Sequence, residues 1–360
     1  MAHRQPTPLA QVLAARIARD GPISVHAYMD ACLNDPEYGY YRTRRAIGAQ
    51  EDFVTAPEIS QVFGELIGLW AAVVWQQMGS PARARLVELG PGRGTLMADA
   101  LRAGRKVPGF LDALDVVLVE PNSALQDIQR QSLSEQAAPL RWVADIADVD
   151  AAPGVATILL ANEVLDVLPV TQLQRTESGW AERGVDINDA GELVFAITSA
   201  VVPPPSAAAQ PGEIIEQRRT SHIADSLRHL ADAGPLAALF IDYGYEGPAI
   251  GDTLQAVRGQ RYEDPLAAPG LADLTAHVDF TAFAADIRAR GFAVDGPVPQ
   301  AAFLGALGIV ERTSRLMAAN PAAAPALEAA TARLTAPTGM GTLFKAIGAR
   351  SSGLPPLPGL

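Results

Sequence analysis

Only one of the 360 residues is cysteine, Cys32. That excludes an intrachain disulfide framework and a thiolate zinc site. The apolar helical pattern around Cys32 predicts a buried thiol rather than a nucleophile. Histidine is also scarce: His3, His26, His222, His229 and His277 form no cluster with metal-ligand spacing. His222 and His229, seven apart on a polar helix face, read as solvated, and no metal is expected. Lysine occurs twice, at Lys106 and Lys345, against many arginines and alanines. That bias suits GC-rich coding and hence a bacterial cytosol. No long apolar run is present either. Phe63 to Met78 is too short to span a bilayer comfortably and contains Glu65, so it reads as a core helix. The first residues carry no secretory signal and lack the Ser- and Arg-rich bias of a transit peptide. A net charge of −12 argues against a nucleic-acid partner held through its phosphates.

What remains is a globular composition, 49% apolar and 19% charged, in a chain long enough for an enlarged domain or one with an insert. Residues 1–80 read as an N-terminal helical cap. Leu9 to Arg19 is amphipathic and stops at Asp20-Gly21-Pro22, and Ser24 can cap a helix from Val25 to Leu33. An aromatic turn follows at Tyr38–Tyr41, and Thr55-Ala-Pro57-Glu58 suits the start of a helix from Ile59 to Met78. Residues 81–169 alternate short apolar runs with helices. Arg85 to Leu89, Asp115 to Glu120, Leu140 to Val143 and Ala156 to Leu160 are the predicted strands. This predicts an α/β, doubly wound, mostly parallel sheet. Residues 170–235 read as an inserted α+β segment with three antiparallel strands, a flexible Pro203 to Gly212 connection and a long helix from Glu213 to Ala233. It offers a substrate or homodimer surface. Residues 236–350 complete the core with Leu236 to Ile241, a helical stretch and a final strand at Thr342 to Ile347; 351–360 reads as a loose tail.

The most informative feature is the strand-to-helix turn Glu88-Leu-Gly90-Pro91-Gly92-Arg-Gly94. Glycines serve where a backbone bends sharply and a ligand approaches without a Cβ in the way. A dinucleotide fingerprint from Gly90 would need glycine where Thr95 stands. A phosphate-binding P-loop would need Lys-Ser/Thr after Gly94, where Thr-Leu stands. A carboxylate such as Glu88 suits a cationic ligand and not a pyrophosphate. Glu-x-Gly-x-Gly-x-Gly is the spacing of class I methyltransferases, whose ligand is the sulfonium S-adenosyl-L-methionine. Glu120, at the end of the second strand, can accept both ribose hydroxyls. Asp145 and Ile146, after the third, can meet the adenine amino group and ring face.

The fourth strand leads into Asn162-Glu163-Val-Leu-Asp166-Val-Leu-Pro169, beyond the C-terminal strand ends where ligands of an open parallel sheet bind. Glu163 and Asp166, three apart, can share one face of a helical turn and hold a guanidinium by bidentate hydrogen bonds. The alternative is that Asp166 caps a turn before Pro169 and Glu163 acts alone. A small-molecule or O-methyltransferase would need a base such as histidine, for which His277 is the distant candidate. A non-catalytic assembly factor that binds cofactor and partner is a further alternative.

Taken with Ile23-Ser24, Tyr28-Met29, Asp52-Phe-Val-Thr55-Ala-Pro57-Glu58-Ile-Ser-Gln61, Asp242-Tyr-Gly244, Ala268-Pro-Gly270 and Val278-Asp-Phe280, these motifs resemble the MidA-type methyltransferase family, which includes a mitochondrial complex I assembly factor. The resemblance spans nearly the whole chain. It implies symmetric dimethylation of an arginine in the quinone-site subunit of complex I, a protein partner, with S-adenosyl-L-methionine as cofactor. It also implies that Tyr40, Thr55, Pro57, Glu58 and Asn162 gather at the cofactor, with Glu58 beside Glu163 and Asp166 in the chemistry. The chain departs from the family at Glu51-Asp52-Phe53, at Asn162 and at Val164-Leu165.

Overall fold

The computed structural model describes residues 6–43, 54–136, 138–200, 208–247 and 249–360. Glu51-Asp52-Phe53 and residues 203–207 of the Pro-rich connection lie outside them. The chain divides into two compact units. One comprises residues 54–164, 221–244 and 282–360; the other comprises 1–53, 165–220 and 245–281.

The first unit is built on strands β1 (Ala84–Leu89), β2 (Leu114–Val119), β3 (Leu140–Val143), β4 (Ala156–Asn162), β5 (Leu236–Tyr245), β6 (Ala293–Pro299) and β7 (Phe344–Arg350). Their spatial order is β6-β7-β5-β4-β1-β2-β3. β1 to β5 run parallel, and β7 is antiparallel to both of its neighbours. This is the predicted doubly wound sheet. All six residues of β1 are buried, as expected of a parallel strand covered on both faces. Strand order reverses between β1 and β4, so the ligand crevice of such a sheet lies at their C-terminal ends.

Helices Gln61–Gln77 and Thr95–Gly104 pack together in this unit's core. Gly64 and Gly68, one turn apart, form their contact. A Cβ on Gly68 would lie 2.4 Å from the backbone of Ala100, and one on Gly64 would lie 2.6 Å from Asp99 Cβ. No side chain fits there without separating the helices. Gly68→Val is therefore expected to destabilise the protein by about 3 kcal/mol, the upper range of overpacking costs, read as a lower thermal midpoint. An unshifted melting curve would refute this close contact.

Several expectations are corrected. The helix expected from Ile59 to Met78 is two, Ala56–Ile59 and Gln61–Gln77. They are separated by Ser60, which is extended (φ −155°) and whose Oγ accepts from Val62 N at 3.2 Å. The residues expected as a loose tail are packed: Leu357 is 3% exposed, its N–H donates to Asp295 Oδ2, and Pro358 O accepts from Trp70 Nε1. The stretch after Ile241 is not continuously helical. It contains β6 and, in the second unit, short strands Gln255–Arg258, Arg261–Glu263 and Asp273–Thr275. The first two of these are joined through Gly259 and Gln260, both at positive φ (57° and 60°) as a two-residue hairpin turn requires. Gln260 is an unusual residue for that turn, so Gly259-Gln260 carries no hairpin signal.

In the second unit, strands Val170–Thr176, Gly179–Ile187 and Leu193–Ala200 are antiparallel as predicted. The long helix expected from Glu213 does not form. Ile214–Arg218 is a strand paired with Val170–Gln174, and the helix begins at Ser221. β-Branched Ile214 and Ile215 fit a pleated edge better than a helix, and pairing outweighs the helix-forming residues around them. Cys32 is fully buried in this unit's core, and burial pushes its thiol up to about 12.

Candidate functional site

The glycine turn leaves β1 at the strand-order reversal. Gly90, Gly92 and Gly94 all have positive φ (59°, 54° and 81°), a region that side chains disfavour. Gly94 N donates to Pro91 O at 2.7 Å, closing the loop, and Gly94 precedes helix Thr95–Gly104. A Cβ on Gly92 would meet nothing within 4 Å, whereas one on Gly94 would lie 2.9 Å from Ser132 Oγ. The turn thus presents open backbone at Gly92 and is pressed at Gly94 against helix Ser123–Ser132, which follows β2.

Register places its neighbours. Glu88 is opposite Leu118 on β2 and Leu160 on β4. Side chains alternate along a strand, so Gly90, Glu120 and Asn162, each two residues on, share the face of Glu88. Glu88 is 3% exposed and its Oε2 has no hydrogen-bond partner among the described residues. Asn162 Oδ1 is likewise a buried acceptor without a partner. Glu120 is buried. Its Oε1 accepts from Asn122 N (2.8 Å) and its Oε2 from Gln129 Nε2 (3.3 Å). This is an acceptor-rich site suited to a cationic, hydroxyl-bearing ligand. Beyond β3, Ile146 is buried, and Asp145 caps the turn Ile146–Asp148 through Ala147 N. His222, expected to be solvated, is exposed but pairs with Asp145 Oδ1 at 2.7 Å.

Glu163 follows β4 in the left-handed region at φ 54°. The expected helical turn linking it to Asp166 is absent, because that backbone conformation bends the chain at its first residue. Asp242, 1% exposed on β5 just past its pairing with β4, holds the bend: its Oδ2 accepts from Val164 N and its Oδ1 from Tyr243 N. Glu163 Oε1 accepts from Asn162 Nδ2 at 3.0 Å and from Ala56 N at 3.3 Å. Thr55 and the buried Pro57 flank that amide in the short helix Ala56–Ile59, and Glu58 accepts from Thr95 Oγ1 beside the glycine turn. Thr55-Ala-Pro57-Glu58 therefore bridges Glu163 and the start of the helix after Gly94.

Tyr40, Asp166 and His277 belong to the second unit. Tyr40 is buried edge-on to Tyr41, whose hydroxyl donates to Asp273. Burial, then the charges of Asp273 and Asp166, hold the Tyr41 phenol well above its ordinary value. Asp166 is buried, and its carbonyl accepts from Ala276 N and from the Arg218 guanidinium. Arg218 also binds the carbonyls of Leu168, Ala276 and His277. Burial, then Arg218, lowers the His277 imidazole.

Sequence reasoning passed over Gln129 and Asp242. Gln129 left one trace, a polar series of Gln126, Gln129 and Ser132 on one helical face. Asp242 appeared only within a family motif.

Burial in apolar surroundings pushes the Glu88 carboxyl up to about 8. Without ligand, the folded protein keeps a proton there that an unfolded chain releases near pH 4.3. That contribution to stability is full at acid pH and is lost as pH rises towards 8. Glu88→Gln should flatten this decline, which for one proton is at most about 1.4 kcal/mol per pH unit. Urea midpoints from pH 5 to 9 measure it, and parallel profiles for both proteins would contradict it.

Residues 66–298 match the family described as "Putative S-adenosyl-L-methionine-dependent methyltransferase". The chain is 36% identical to the mitochondrial protein arginine methyltransferase NDUFAF7 of Danio rerio, over 86% of this chain and 78% of that one. For NDUFAF7 of Homo sapiens the identity is 34%, over 86% and 76%. Among solved structures, a Burkholderia thailandensis protein bound to S-adenosyl-homocysteine superposes with a TM-score of 0.81 at 30% identity, covering 99% of this chain and 97% of that one.

Proposed function

The chain belongs to this S-adenosyl-L-methionine-dependent methyltransferase family, and from that premise we propose that its acceptor is an arginine of a protein, a subunit of respiratory complex I. S-adenosyl-L-methionine, when bound, supplies an electrophilic methyl group on a sulfonium. Glu88, with Gly90 and Gly92, would hold its cationic amino-acid end. Glu120 would take the ribose hydroxyls, and Asp145 with Ile146 the adenine.

The observation carrying the acceptor assignment is Glu163, a carboxylate fixed in a left-handed bend at the sheet's strand-order reversal. A carboxylate accepts guanidinium N–H bonds and orients the nitrogen. In-line displacement needs alignment above all, and positioning alone provides effective molarities of about 10⁵ M or more. Strong general-base chemistry is not required, because the guanidinium proton becomes far more acidic as nitrogen attacks. The names of the NDUFAF7 relatives support an arginine acceptor. Those relatives are named mitochondrial, whereas the arginine-over-lysine composition supports a bacterial cytosolic setting.

Purified protein, methyl-labelled cofactor and complex I core subunits test the proposal. Label on an arginine of the quinone-site subunit is expected. Demonstrable cofactor binding with no arginine labelled would sink it.

A further inference from the structure

Helix Ser123–Ser132 follows β2 and has one fully buried residue, a glutamine. Core-facing helix positions ordinarily carry apolar side chains. Gln129 is 0% exposed, and its amide reaches three separate elements. Nε2 donates to Gly92 O at 2.8 Å and to Glu120 Oε2 at 3.3 Å, while Oε1 accepts from Trp142 Nε1 on β3 at 2.8 Å. Its helical neighbours extend the seam. Gln126 Nε2 donates to Glu120 O, and Ser132 Oγ donates to Arg93 O within the glycine turn. At i, i+3 and i+6, the three lie along one helix face.

We propose that Gln129 is a positioning residue for cofactor recognition, whose side-chain amide fixes the glycine turn and the Glu120 carboxylate relative to each other. It rests on the assignment of Glu120 to the ribose. A carboxylate accepting two hydroxyls needs a defined orientation. One of its oxygens is held by a main-chain N–H and the other by Gln129. The same amide nitrogen holds the carbonyl of Gly92, the residue whose open face admits the ligand. Removing the two donors takes away this restraint on the second oxygen and the bond to the turn carbonyl.

The test is binding, measured by calorimetry on the full chain with S-adenosyl-homocysteine and its 2′-deoxyribose analogue. Wild type should prefer the ribose form by about tenfold, the value of one hydrogen bond to a charged group. In Gln129→Met that preference should narrow to less than about threefold, along with weaker binding of the ribose form. Gln129→Leu, similar in volume and also without donors, should narrow the preference similarly. An unchanged preference in either folded variant, even with both affinities lowered equally, would show a merely structural role and overturn the proposal. A wild-type protein that does not distinguish the two probes would instead remove Glu120 from the ribose, and Gln129's role with it.

Discussion

Methyl transfer by Glu163→Gln is expected to fall by about 10²–10³-fold, while affinity for S-adenosyl-homocysteine stays within about threefold of wild type. The substitution isolates charge. Glutamine keeps a side-chain oxygen able to accept from Asn162 Nδ2 and Ala56 N, so the segment from Thr55 to Glu58 has no reason to move. What disappears is the negative group that would orient a guanidinium and balance its charge. The strained backbone points the same way. A side chain in the left-handed region costs about 1–2 kcal/mol, and such residues cluster where geometry serves function. Single-turnover transfer to an arginine-bearing substrate, with binding measured separately, reads both quantities. Unchanged turnover would remove Glu163 from the mechanism.

Asp242→Asn should reduce transfer by about tenfold or more and destabilise the protein by about 1–3 kcal/mol, the cost of a buried donor left without an acceptor. Asp242 accepts two main-chain N–H groups, Val164 on one oxygen and Tyr243 on the other. Asparagine can satisfy only one, because its amide would point donors at the second. If Val164 N loses its acceptor, the bend at Glu163 loses its restraint. The loss should therefore exceed what destabilisation explains, and appear in turnover below the melting range. Full turnover in a destabilised but folded variant would limit Asp242 to stability.

The glycine turn was legible because its chemistry is local. Gly90, Gly92 and Gly94 adopt positive φ at fixed offsets from a buried strand, and few other residues can. Glu120 and Asn162 were legible through their positions at strand ends. Gln129 was not, since its partners at Gly92 and Trp142 are distant in sequence and a glutamine in a helix ordinarily faces solvent. The strand Ile214–Arg218 was misread for a related reason: it exists through pairing with Val170–Gln174, which no local pattern specifies. The acid pair was half legible. Spacing suggested a shared helical face, but Glu163's left-handed backbone is not written in a three-residue interval.

The sheet order carries one more implication, for how the polypeptide is made. β7 is inserted between β5 and β6, pairing with both along seven and five residues respectively. During synthesis β5 and β6 emerge long before their shared neighbour, and until residue 350 is available each has an unpaired edge. Exposed strand edges invite association with other chains. The nascent protein is thus most vulnerable late in translation, when nearly every residue of its ligand site already exists.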